Sequence, residues 1–120
     1  MRNDRSSELQ DLNRIMDELA DIERSPDDPY LPVRFNRCIE GLNAIIDETG
    51  NDKMRKTATT VRDRHRDLYV EKAVRYIKGE STDVPAHILR RMIGILGKHA
   101  LLDTGSWNVM DTEFMDRLDV

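Results

Sequence analysis

Residues 32–50 read PVRFNRCIEGLNAIIDETG, and the spacing of their apolar side chains decides the fold. Phe35, Ile39, Leu42 and Ile46 recur at steps of four, three and four, the period of one helix face. Cys38 and Ile45 widen that face on one side. Proline suits a first helical turn, where its missing N–H has no partner to lose, so a helix is expected from Pro32 or Val33. Thr49-Gly50-Asn51 should end it, with Gly50 supplying a left-handed residue.

The same period extends outward in both directions. Upstream, Leu9, Leu12, Ile15, Met16, Leu19 and Ile22 predict a helix from about Ser7 to Arg24, with Ser7 and Gln10 in the form of a capping box. Ser25-Pro26-Asp27-Asp28-Pro29 stops it and forms a turn with a preferred path. Downstream, Met54, Ala58, Val61, His65, Leu68, Tyr69, Ala73, Tyr76 and Ile77 trace one face of a long helix from Asp52 to Lys78. Its β-branched Thr57, Thr59 and Thr60 predict a bend or a frayed first half, and Gly79 closes it. A fourth helix is expected after Ser81-Thr82-Asp83, which are candidate caps, with Pro85 in the first turn. Ile88, Leu89, Met92, Ile93, Ile95, Leu96, Ala100, Leu101 and Leu102 make it apolar over more than half its circumference. Such a helix is central in a bundle or half of an intermolecular contact. The expected architecture is all-α: a four-helix bundle-like domain over residues 1–102, then a short acidic-aromatic C-terminal tail or helix over residues 103–120.

The chain has 120 residues, enough for one domain and too few for two. Its net charge of −4 hides an uneven distribution. Residues 1–50 carry 6 basic and 12 acidic side chains, residues 51–98 carry 12 and 6, and residues 99–120 carry 1 and 5. A mean hydropathy of −0.65 with no long apolar run excludes a transmembrane helix. The opening MRNDRSSELQ has no apolar core like that of a secretory leader. The single cysteine, Cys38, cannot form an internal disulfide, so a reducing compartment such as the cytoplasm is expected.

No motif announces catalysis. The phosphate-loop and dinucleotide fingerprints are absent, as is a nucleophile elbow, and no Cys–His or His-Glu-x-x-His spacing supports a zinc site. His65 falls on the apolar stripe of the third helix and reads as a core histidine with one ring nitrogen hydrogen-bonded. Cys38 reads as a buried structural thiol. Asp17, Glu18 and Asp21, with Asp47, Glu48 and Asp52 further on, could hold Mg²⁺ in a helical nucleotide enzyme, although exposed acidic faces are common.

The basic residues are the more distinctive feature. Lys53, Arg55, Lys56, Arg62, Arg64, Arg66, Lys72, Arg75 and Lys78 crowd the third helix, interrupted by Asp63, Asp67 and Glu71. On the fourth, His87, Arg91, Gly94 and Lys98 share a face. Gly94 and Gly97 there mark either tight packing against another helix or a shallow basic seat for a phosphate or a partner carboxylate. Arg62, Arg64, Arg66, Arg90, Arg91 and Lys98 are therefore the candidate anion or nucleic-acid contacts. A helix-turn-helix over Lys78–Ala100 is conceivable, but its face is too apolar for base reading apart from Arg90 and Arg91. The six aromatics do not interleave with the arginines as a single-strand platform would require. In the tail, Trp107, Phe114 and Leu118 stand among carboxylates and are the candidate anchors for docking into a groove with a basic rim, either on this chain's own helices three and four or on a partner.

The expected function is that of a small non-enzymatic helical adaptor or regulator that contacts a protein partner. It is expected to self-associate as a homodimer through helix four or the far end of helix three. No cofactor, metal ligand or membrane contact is expected. The alternatives are nucleic-acid binding through helices three and four, and the Mg²⁺-dependent nucleotide enzyme.

Overall fold

The computed structural model describes residues 4–102, with side chains from Ser7 onward. It contains α1 (Asp4–Glu23), α2 (Leu31–Glu48), α3 (Asp52–Ile77) and α4 (Ala86–Lys98), and no strand among the described residues. The all-α, bundle-like architecture is as the periodicity predicts. The expected second segment, residues 103–120, lies outside the described residues, and with it Trp107, Phe114 and Leu118.

α2 is the hub. It packs on α1, α3 and α4, and α3 also packs on α4 and more lightly on α1. Its inner face buries Phe35, Cys38, Ile39, Leu42 and Ile45, with Ile46 half-buried at the margin. Phe35 meets Tyr69 of α3 edge to face, ring centroids 5.1 Å apart, a favoured aromatic geometry. α4 contributes Ile88, Leu89, Met92, Ile93 and Leu96 to the same core. α1 contributes Leu12, Leu19 and Ile22. A Cβ at Gly41 would lie 2.6 Å from Cδ1 at the end of the Ile15 side chain, so Gly41 gives that side chain of α1 its place on α2.

Several boundary expectations are corrected. α1 begins upstream of Ser7, which is therefore inside the helix and caps nothing. Leu9 and Met16 are not buried with the rest of their stripe; they are 49% and 40% exposed. At 100° per residue they lie on the flank of the Leu12–Leu19 direction, away from α2. α2 does not end on a left-handed Gly50, since Gly79 is the positive-φ glycine among the described residues. Its final carbonyls are held instead by the Arg55 guanidinium, which donates to Ile46 O at 3.2 Å and Thr49 O at 2.7 Å. Asn51 then caps α3, its side chain accepting from the Met54 N–H. α3 runs unbroken through its threonines, where the hydroxyls of Thr57 and Thr59 donate to the carbonyls of Lys53 and Arg55 one turn back. No side chain from 81–83 caps α4; Pro85 is its N-cap residue.

α4 is shorter than its apolar run suggests. Ala100, at φ 59°, turns the chain left-handed, and the N–H groups of Ala100 and Leu101 donate to Gly97 O and Leu96 O. α3 ends by the same pattern, with Gly79 in the left-handed position. Alanine costs more there than glycine.

Candidate functional site

The sequence placed Arg91, Gly94 and Lys98 on one face of α4, and the structure shows what they face. They line, with Ile95, one wall of a groove of about 370 Å³. The other wall is the first turns of α2: Pro32, Val33 and Asn36. His99 closes the junction, its Nε2 lying 2.8 Å from Asn36 Oδ1. With the Asn36 oxygen engaged by the imidazole N–H, its amide NH₂ remains available to donate. The groove therefore offers exposed Val33 and half-buried Ile95, over buried Pro32, between two long cationic side chains, Arg91 and Lys98, both on exposed residues. Neither cation has an ion-pair partner among the described residues.

Gly94 decides between the two readings of its position. A Cβ built there would have nothing within 4 Å. Among the described residues no helix packs against it, so no tight contact there accounts for a residue that costs helix stability. The bare backbone leaves the groove shallow and open at its middle.

Arg62, Arg64 and Arg66 do not form a comparable surface. Arg62 donates to Asn43 Oδ1 of α2 at 2.9 Å and to Asp63 at 3.2 Å, and its side chain is 20% exposed. Arg66 pairs with Asp67 at 2.9 Å and Asp63 at 3.5 Å. Arg64 is exposed, without a carboxylate partner among the described residues. Lys72 pairs with Asp83 at 2.5 Å and Arg75 with Glu71 at 2.9 Å, which neutralises more of the helix. Arg90 is half-buried and does not line the groove.

Part of the acidic set, Glu18 and Asp21, is gathered by a residue that sequence reasoning passed over. Arg34 donates to Glu18 at 2.7 Å, to Asp28 at 2.9 Å and to Asp21. Its hydrogen bonds hold Glu18 and Asp21 below the ordinary carboxylate range. Asp28 is lowered first by the Tyr30 N–H and then by Arg34. The guanidinium lies among Glu18, Asp21 and Asp28, while Asp17 of the expected Mg²⁺ set is exposed and outside this cluster. Asp47, Glu48 and Asp52 are not part of this set. Among the described residues, no three His, Cys, Asp or Glu side chains are placed to hold a metal ion.

Cys38 is buried, and burial pushes its thiol up to about 11, which leaves it protonated at neutral pH. His65 is 8% exposed, with Nδ1 2.9 Å from Val61 O, the satisfied core histidine expected from its stripe. No helix among the described residues is long and apolar enough to cross a membrane.

Arg91, Gly94 and Lys98 were legible from their spacing. Pro32, Val33 and Asn36 were not, because the wall they supply depends on contact between segments 63 residues apart. Comparison with family models, with curated proteins and with solved structures finds no match to this chain.

Proposed function

We propose that this chain is a small non-enzymatic helical adaptor that works by protein–protein contact, with the α2–α4 groove as its contact surface. The observation that carries this reading is the pairing of an apolar groove with cations that lack partners. Arg91 and Lys98 rim Pro32, Val33 and Ile95 without a carboxylate between them. Their seven-residue separation corresponds to about 10 Å along a helix. That spacing suits an acidic segment presenting apolar side chains, as in helix-in-groove recognition.

Nucleic-acid binding is less well supported. Arg62 and Arg66 are drawn into hydrogen bonds and ion pairs with their neighbours. Two groove cations would neutralise about two phosphates, a weak, salt-sensitive contact. The nucleotide-enzyme alternative has less support, because Arg34 engages Glu18 and Asp21 of its carboxylate set.

The test is an affinity capture from the native source with the wild-type chain and the Arg91→Glu/Lys98→Glu variant side by side. Proteins held by the wild type and lost from the variant, at equal helical circular dichroism, are the expected result. An unchanged protein set, or nucleic acid as the main retained species, would overturn the proposal.

A further inference from the structure

Four large apolar side chains stand exposed among the described residues: Leu9, Met16, Tyr30 and Val33. They fall into two pairs on different elements. Leu9 and Met16 are seven residues apart on α1, and Asn13 and Ala20 continue their line at steps of four and three. Tyr30 and Val33 stand at the start of α2, where Val33 lines the groove.

The two pairs have opposite electrostatic surroundings. Of the six carboxylates in residues 7–24, Asp11 pairs with Arg14, Glu18 and Asp21 pair with Arg34, Glu8 accepts from Thr49 and Glu23 lies 4.0 Å from His65. Asp17, adjacent to Met16, is exposed and has no ion-pair partner among the described residues. The groove is rimmed by Arg91 and Lys98, also seven residues apart. Leu9 to Met16 and Arg91 to Lys98 therefore share one axial spacing, about 10 Å on an α-helix. Between the two cations, Gly94 leaves open backbone where a neighbouring helix can approach.

We propose that the groove's occupant is α1 of a second copy of this chain. In this contact the Leu9–Met16 stripe lies against Val33 and Ile95, and Asp17 faces the Arg91–Lys98 rim. The inference rests on reading the groove as a protein-contact surface, and it names the partner. The contact joins two different surfaces, so it is heterologous: each copy offers one α1 and one groove. Its charged rim makes it weaken as salt screens the attraction.

The test uses complementary variants of the full chain. Leu9→Glu/Met16→Glu disables the stripe and Arg91→Glu/Lys98→Glu disables the groove; all four positions are exposed, and circular dichroism checks the fold. In sedimentation velocity at micromolar concentration, the wild type is expected to run above the 13.9 kDa of one chain. Each variant alone should run as one chain. An equimolar mixture of the two should give a two-chain species, because one intact stripe then meets one intact groove. Gly94→Leu, whose side chain begins in open space, should block association without removing a charge.

A monomeric wild type, variants that still associate alone, or a mixture that stays monomeric would each overturn the proposal. A monomeric wild type that nevertheless captures proteins through Arg91 and Lys98 leaves the groove reading standing and rejects this occupant. A monomeric wild type with no groove-dependent capture rejects both.

Discussion

The basic residues of α3 and those of the α2–α4 groove differ in what surrounds them. α3 carries eight lysines and arginines, the densest basic stretch of the chain. Several are committed: Arg55 to the end of α2, Arg62 to Asn43, Arg66 to Asp63 and Asp67, Lys72 to Asp83, and Arg75 to Glu71. The groove has only Arg91 and Lys98, and neither has a carboxylate partner among the described residues. Charge density along a sequence thus does not locate free charge on a surface. Cations already satisfied within the fold hold it together, and unpaired ones beside an open apolar floor are left to meet something else.

That division can be broken first at Arg34, the most heavily paired cation. Arg34→Met leaves Glu18, Asp21 and Asp28 facing one another without their cation, and should give the largest fall in melting temperature. The pH dependence has a definite sign. The folded carboxylates are held below their ordinary values. Their contribution is therefore full above the unfolded value of about 4 and is lost as pH falls through the lowered values. The melting-temperature gap between wild type and Arg34→Met should be widest near neutral pH and close on acidification. A gap independent of pH would contradict the ion-pair account.

The next effect concerns the paired arginines of α3. Arg62→Glu/Arg66→Glu breaks the tie to Asn43 and adds glutamates beside Asp63 and Asp67. A loss of about 2 kcal/mol is expected in urea denaturation, from one charged hydrogen bond and the new repulsion. Arg64→Glu, on an exposed residue, should change stability by less than about 0.5 kcal/mol. Equal losses would mean that pairing does not distinguish these positions.

In the groove the sign reverses. Gly94→Ala adds a Cβ that meets nothing, so only the helix preference counts, and the variant should be about 1 kcal/mol more stable in urea. A loss of stability would mean that the groove floor is packed after all. This is the physical signature expected of a surface kept open at some cost to the fold.

Much of the fold was legible because its helices are amphipathic and punctuated by proline and glycine. The 32–50 stretch located the hub, and the stripe of α3 named His65 and Tyr69 as buried. The misreadings share a cause. Leu9 and Met16 fit the period of α1, but α2 covers only part of that face, and how much is covered depends on packing. Gly50 looked like the end of α2, yet Arg55 holds those carbonyls from the next helix. For the site, the spacing of Arg91, Gly94 and Lys98 could be read along one helix. Arg34 could not be recognised as the hub of three carboxylates, because two of them come from α1 and the third from the connecting turn.

Which cations face a partner is decided by sedimentation equilibrium of three proteins: wild type, Arg64→Glu and Arg91→Glu/Lys98→Glu. Arg64→Glu removes an exposed cation from the more basic helix, whereas the double variant reverses the groove rim. The account predicts that Arg64→Glu associates as the wild type does, and that the groove variant sediments as a folded single chain of 13.9 kDa. Loss of association in Arg64→Glu, with association retained in the groove variant, would contradict it.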